Sequence, residues 1–394
     1  MGPLASLKIL DFTSLLPGPF ATMMLADLGA EVLRIEAPQR PDLIRLHSPF
    51  DADGETSAWH ALLGRSKYGI TLDLKKPEAI DIVKQLVQTY DVVVEQFRPG
   101  VMDRLGIGYE ALRAVNPRLI YCAITGYGQT GPYRDRAGHD INYLALSGMM
   151  SHSGRNEQGP VPQAVQIADV GAGSYNALVG ILAAVIHRAQ TSEGQYVDVS
   201  MLDGSIAWNS LNIAKYLVGA EEPEAEGEWL NGGSYYDYYR TRDDRYLSVG
   251  SLEPKFWEGF CHTLGRPDLI ERGYDQDSRT QHALKTEIQT TIATRTLAEW
   301  ATLFAKVDVC VEPVLNVSEM IDHPQVRARE MIVDAPRADG TSLRQVGHPI
   351  KFSRTPATYK HIGAKIGAHT DEVLLKMGYT REEMGQLRKA GVFG

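Results

Sequence analysis

Leu7-Lys8-Ile9-Leu10-Asp11-Phe12, an apolar helical run from Phe20 to Leu28, and Glu31-Val32-Leu33-Arg34-Ile35 follow one another at the start of the chain. A strand-like run, a helical run and a second strand-like run make a βαβ unit. The alternation continues through Ile70–Leu74, a helix from Pro77 to Tyr90, Val92–Glu95 and Leu119–Ile124. This predicts an α/β fold with a large open, mostly parallel, Rossmann-like sheet.

The stretch after Gly173, Ser174 through His187, is apolar almost all round and predicts a buried helix. Composition then shifts at Gly219–Glu228, an acidic run with Pro223 that reads as a linker. Beyond it, Tyr235–Tyr239 and Tyr246–Val249 predict strands around a turn at Asp243-Asp244, with helices from Pro254 and Leu297. That is a second, smaller α+β unit. The boundaries predicted are 1–200 for the first part of the large unit, 201–230 for a linker, 231–321 for the small unit and 322–394 for a tail. In the tail, Pro349–Phe352 looks like a strand and Glu372–Lys389 like a helix.

The chain has 394 residues, 43% of them hydrophobic and 23% charged, enough for a large core and two domains. Its net charge of −9 is spread without a Lys/Arg block, which argues against a nucleic-acid partner. The three cysteines, Cys122, Cys261 and Cys310, are far apart and suggest neither a disulfide framework nor a metal site. No leader is expected in Met1–Lys8, and no later segment is expected to span a bilayer. A cytoplasmic protein without a membrane partner is the expectation.

The chemistry concentrates between Gly138-His139-Asp140-Ile141-Asn142-Tyr143 and Ile167-Ala168-Asp169-Val170-Gly171-Ala172-Gly173. An imidazole and a carboxylate stand in two Gly-containing loops, each beside a helix start. Either accepts a proton, and N–H groups at Val170-Gly171 would suit an oxyanion. Asp169 also suits a helix cap, and spacing does not separate the two uses. Gly126-Tyr127-Gly128-Gln129-Thr130-Gly131 matches G-x-G-x-x-G but is followed by Pro132-Tyr133-Arg134-Asp135-Arg136, so it reads as a loop. Arg98 follows a strand, where a guanidinium meets phosphate in open α/β sheets, or is a solvated charge. Capping alone suffices for Glu253 before Pro254 without excluding a functional use, and Cys310, with no base beside it, reads as buried and inert. His152, His187 and His262 read as structural.

Together these residues resemble the family III CoA-transferase superfamily and, within it, the α-methylacyl-CoA racemase branch. The matches run in order along nearly the whole chain: Leu16-Pro17-Gly18-Pro19, Leu25–Ala30, Leu72-Asp73-Leu74-Lys75, Phe97-Arg98-Pro99-Gly100, Ala137–Tyr143, Glu253-Pro254 and Cys310–Leu315. The resemblance implies a large CoA-binding domain made from both chain ends, a small domain between, and an interlocked homodimer. It implies an acyl-CoA substrate, with no metal and no cofactor beyond the CoA of the substrate itself. The catalytic residues implied are His139 and Asp169 as an acid/base pair and Glu253 orienting the His. Lys67, Arg98, Gly138, Asp140, Asn142, Tyr143 and Gly171 are implied to hold the CoA thioester.

The activity implied is epimerisation of 2-methylacyl-CoA thioesters by proton transfer through an enolate. The alternatives are a CoA-transferase using Asp169 as a nucleophile through an anhydride and a thioester, and a CoA-binding protein without turnover. Transferases of this kind usually carry an aromatic residue where His139 stands, which favours the racemase. Two positions depart from the racemase pattern, Ala37 and Tyr68, where basic residues usually meet CoA phosphates. Arg40 or Arg65 are the expected substitutes.

Overall fold

The computed structural model describes residues 2–275 and 277–394, and the chain divides into two compact units. The larger comprises Met1–Ser147, Gln163–Trp208 and Pro324–Gly394. Its strands are β1 (Lys8–Asp11), β2 (Glu31–Glu36), β3 (Tyr68–Thr71), β4 (Val92–Glu95), β5 (Ile120–Thr125) and β6 (Tyr196–Ser200). They form one parallel sheet in the order β3-β2-β1-β4-β5-β6. This is the doubly wound order, and its switch point lies between β1 and β4.

Successive strand residues feed different cores, as a sheet covered on both faces requires. Ile9, Val32 and Val94 pack with Ala21 and Leu25 of α1 (Pro17–Asp27). Leu10, Leu33 and Val93 pack with Ile82 and Leu86 of α2 (Pro77–Val87). Pro17 opens α1 without a side-chain cap, since its ring already sets a helical φ. Leu374, Met384, Val392 and Phe393 complete the second core, and the Asp73 N–H donates to the Val392 carbonyl at 2.8 Å. Both chain ends therefore build the large unit.

Three further helices carry or frame the chemistry: α3 (Asp140–Leu146), α4 (Asn176–Thr191) and α5 (Met201–Trp208). The smaller unit comprises Gly148–Pro162 and Asn209–His323. It begins its long segment with α6 (Ser210–Gly219) and holds an antiparallel sheet of β7 (Tyr236–Arg240), β8 (Tyr246–Gly250) and β9 (Val311–Pro313). Trp257 and Phe260 of α7 (Pro254–Leu264) and Trp300 and Phe304 of α8 (Leu297–Phe304) fill its core.

Several expectations are corrected. The 201–230 segment is largely helical, holding α5 and α6, because its apolar run precedes the acidic stretch. Pro349–Phe352 is not a strand; the tail's hairpin is β10 (Ile332–Pro336) with β11 (Ser342–Val346). The terminal helix is two, Thr370–Lys376 and Arg381–Lys389, separated where Gly378 adopts φ +97°. The buried helix is buried on one face only: Ala177, Leu178, Ile181 and Ala184 are inside, but Val179 is 67% and Ile186 61% exposed. With the turns before it, this helix runs Ala168–Thr191, 24 residues long and apolar enough to cross a membrane by length and composition alone. Its inner face packs with the Ile9, Val32 and Val94 core instead.

Candidate active site

Two clefts open beyond the carboxyl ends of the parallel strands, where doubly wound sheets take ligands. One, of about 580 Å³, is lined by Phe12, Ile35, Arg40, Leu72 and Lys75 among others. The second, of about 430 Å³, is lined by Arg98, Tyr127, Arg134, Arg136, His139, Asn142, Tyr143 and Asp169. Leu15 after β1 and Phe97 after β4 line both, so the clefts meet at the switch point.

His139 stands at the N-cap of α3 with its side chain exposed. Its backbone N–H donates to Asn142 Oδ1 at 3.0 Å, one arm of a capping box at the start of α3. The Tyr143 hydroxyl donates to the Gly138 carbonyl at 2.6 Å, and the Tyr143 ring meets Tyr127 edge-on at 5.2 Å. A methyl on Gly138 would lie 2.7 Å from the Tyr127 hydroxyl, and one on Gly126 would lie 2.6 Å from Tyr143. These two glycines let the tyrosines shape the cleft wall. The G-x-G-x-x-G stretch is a loop, as its sequence suggested, and Gly128 and Gly131 turn it at φ +82° and +83°.

Asp169 is not in a loop. Residues Ala168–Tyr175 wind in the wider π form, which is rare and recurs at functional sites. The Asp169 N–H donates to Asp140 Oδ1 at 3.0 Å, and the Asp169 carboxyl faces the cleft, half-buried. Burial, helped by the nearby Asp140 carboxylate and opposed by the His139 imidazole, pushes the Asp169 carboxyl up from 3.8 to about 6. A carboxyl there titrates close to the ordinary imidazole range, about 6.5. Burial and the same two aspartates raise the Tyr143 hydroxyl as well.

The oxyanion donors expected at Val170-Gly171 are not available. The Val170 N–H donates to the Gln166 carbonyl at 3.0 Å, and Gly171 is buried against the Trp208 indole. Asn142 is the amide side chain exposed beside His139, its Oδ1 already engaged.

Arg98 is exposed on the turn after β4. Glu95, at the end of β4, shapes that turn by accepting the Phe97 N–H at 2.7 Å. Burial pushes the Glu95 carboxyl up to about 8, so it is protonated at neutral pH. The sequence reading missed Arg104, Arg134 and Arg136. A methyl on Gly100, at φ +77°, would lie 3.4 Å from Arg104 Nη1 and 3.8 Å from Arg134 Nη2, so two guanidinium groups converge on that turn. Arg136 lies over the Tyr133 ring at 3.9 Å. Their sequence signal is the pair of arginines in Tyr133-Arg134-Asp135-Arg136, just after the Gly-rich loop.

Lys67 is placed elsewhere. It is 2% exposed, and its ammonium reaches Asp11 Oδ2 at 3.2 Å, the Pro19 carbonyl at 2.9 Å and Thr22 Oγ1 at 2.7 Å. No face remains for a phosphate. Arg65 is likewise buried, paired through two nitrogens with Asp27, whereas Arg40 is exposed in the larger cleft. Glu253 caps α7 in the smaller unit through its backbone carbonyl, without a side-chain cap, so capping does not account for its carboxylate. Cys310 is exposed rather than buried, at φ +54°. Desolvation, with Glu253 and Asp308 beside it, raises its thiol.

Fold and cleft define a doubly wound α/β protein in which His139 and Asp169 line one cleft near the switch point of the sheet. The chain matches CoA-transferase family III over residues 4–370 and belongs to that family. It is 34% identical to the human alpha-methylacyl-CoA racemase over 397 residues, covering 98% of this chain and 96% of that protein. It is 35% identical over 385 residues to a succinate–glutarate CoA-transferase of Agrobacterium fabrum, covering 95% and 96%. A solved CAIB/BAIF family protein from Brucella suis is similar with a TM-score of 0.83 at 29% identity, over 95% of this chain and 99% of that one. Racemases and transferases thus stand equally near.

Proposed function

We propose that this chain is an isomerase that inverts the α-carbon of 2-methylacyl-CoA thioesters. The observation that carries the reading is that His139 and Asp169 line one cleft with the Asp169 carboxyl raised to about 6. Removing a proton beside a thioester needs a base on one face, and returning it inverted needs an acid on the other. A carboxyl raised to about 6 and an imidazole exchange those parts with the handedness of the substrate.

In one direction Asp169 takes the α-proton, the C–H electron pair moves into an enolate whose oxygen draws on the Asn142 amide, and a protonated His139 delivers a proton to the opposite face. In the other direction the roles reverse. Arg98, Arg104, Arg134 and Arg136 are the groups for the CoA phosphates, and the larger cleft, with Arg40 and Lys75, takes the nucleotide end. The same reading makes the chain a cytoplasmic homodimer. The exposed apolar face of α4 at Val179 and Ile186 supports a covering surface.

The transferase relatives favour a second reading, in which Asp169 attacks the thioester carbonyl and CoA passes to another carboxylic acid. Incubation of a single 2-methylacyl-CoA epimer in heavy water without an acceptor acid separates the two. The isomerase places deuterium at the α-carbon and yields both epimers. CoA transfer to an added acid with no deuterium at the α-carbon belongs to the transferase.

A further inference from the structure

We propose that Trp208 is a positioning residue for Asp169, a wedge that keeps the turns bearing Asp169 in the π form. The inference rests on Asp169 being the reacting carboxylate, which both readings above share.

The π turns run Ala168–Tyr175 and continue without a break into α4. A π turn carries one residue more than an α turn, and each residue of an α-helix advances about 100° around the axis. If this segment tightened to the α form, Asp169 would swing by about that angle relative to α4. Its carboxyl would then leave the cleft wall. Long π segments are rare, most π turns being single bulges inside α-helices, so something must hold this one.

Its neighbours do so from two sides. A methyl on Gly171 would lie 1.7 Å from Cη2 of the Trp208 indole, so the ring sits directly on the backbone two residues beyond Asp169. On Gly173 a methyl would lie 3.1 Å from Met201 Cγ and 3.2 Å from Pro17 Cβ. On Gly204 of α5 it would lie 2.6 Å from Ala172 Cβ, so α5 touches the π turns along its length. The Ser174 hydroxyl donates to the Pro17 carbonyl at 2.6 Å and lies 3.2 Å from the Asp169 carbonyl, five residues back, the spacing of the π form. Trp208 is 51% exposed, so it is not a keystone of the hydrophobic core. Its bulk is used against the π backbone.

The test replaces Trp208 and follows Asp169 by two independent readouts. The first is the carboxyl titration of Asp169 by carbon NMR, which needs no turnover. The second is the turnover number against KM for α-proton exchange or CoA transfer, whichever the wild type performs. Trp208→Ala is expected to move the Asp169 midpoint from about 6 toward the ordinary carboxylate range. It should lower kcat about 10²-fold, the scale of a misplaced reacting group, with KM changed less than about twofold. Trp208→Phe should keep both near wild type. Gly171→Ala should behave like Trp208→Ala by displacing the indole, and Gly171→Ala with Trp208→Leu should recover part of the loss. An unchanged midpoint and kcat in a folded Trp208→Ala protein overturns the wedge and leaves the proposed function standing. A shifted midpoint in a protein whose wild type shows neither reaction supports the wedge and sinks the function.

Discussion

Lys67 and Asp11 meet behind the rim of the parallel sheet, His139 and Asp169 at a cleft beyond it, and the surroundings treat the two pairs in opposite ways. Lys67 is saturated by a carboxylate, a carbonyl and a hydroxyl, and Asp11 also accepts from Thr13 and Thr22. Burial pushes the Asp11 carboxyl up, but Lys67, Arg34 and the two hydroxyls outweigh it and hold it below its usual range. Burial in turn pushes Lys67 down to about 8. Asp169 has no such company: among the described residues the nearby charges acting on it are Asp140 and His139, and its carboxyl stays near 6. A charge whose hydrogen-bonding capacity is filled inside the protein is structural, and one left dry but open toward a cleft is available for chemistry.

Three substitutions sharpen that contrast. His139→Ala should lower the α-proton exchange rate by about 10²–10⁴-fold, the usual range for a lost general acid or base, while the backbone N–H at 139 keeps its bond to Asn142. A steady-state rate within tenfold of wild type would place the proton transfer elsewhere. Lys67→Met should leave kcat of whatever folds unchanged while costing about 3–5 kcal/mol in denaturant unfolding, because Asp11 stays buried without its ammonium. A large loss of acyl-CoA affinity with normal stability would instead return Lys67 to the CoA site.

Asp169→Asn adds to its loss of activity a stability effect that depends on pH. The folded carboxyl holds its proton to about 6 against 3.8 for the ordinary group, so the stability it supports is present below the ordinary value and lost as pH rises through about 6. Asn cannot ionise and avoids that loss. The variant should be inactive, about 2–3 kcal/mol more stable than wild type at pH 8, and no more stable at pH 3.5. Equal stability at both would mean that Asp169 is not desolvated.

Much of the fold was legible because β1 to β5 are short apolar runs separated by helical patterns, which period and length identify. β6 and the β10–β11 hairpin were not, since Tyr196–Ser200 and Ile332–Pro336 are only five residues long, each interrupted by one aspartate, and tertiary pairing decides them. At the site, His139, Asn142, Tyr143, Arg98 and Asp169 line one cleft, and Asp140 accepts the Asp169 N–H behind it. What local spacing hides is the π form at Asp169, because Gly171 and Gly173 look like loop residues until Trp208 and Met201 are seen against them. Lys67 and Arg65 misled for a related reason. A basic side chain in sequence shows its charge and not the buried carboxylate, Asp11 or Asp27, that has already taken it.

The central claim is that one carboxyl and one imidazole share the α-proton of an acyl-CoA thioester. Deuterium incorporation at the α-carbon of a single 2-methylacyl-CoA epimer, followed from pH 4.5 to 8 with no acceptor acid, tests it most directly. In the direction where Asp169 is the base, the account predicts incorporation that rises about tenfold per pH unit up to about 6. Absence of deuterium at every pH, or its appearance only once a second carboxylic acid is added, would contradict it.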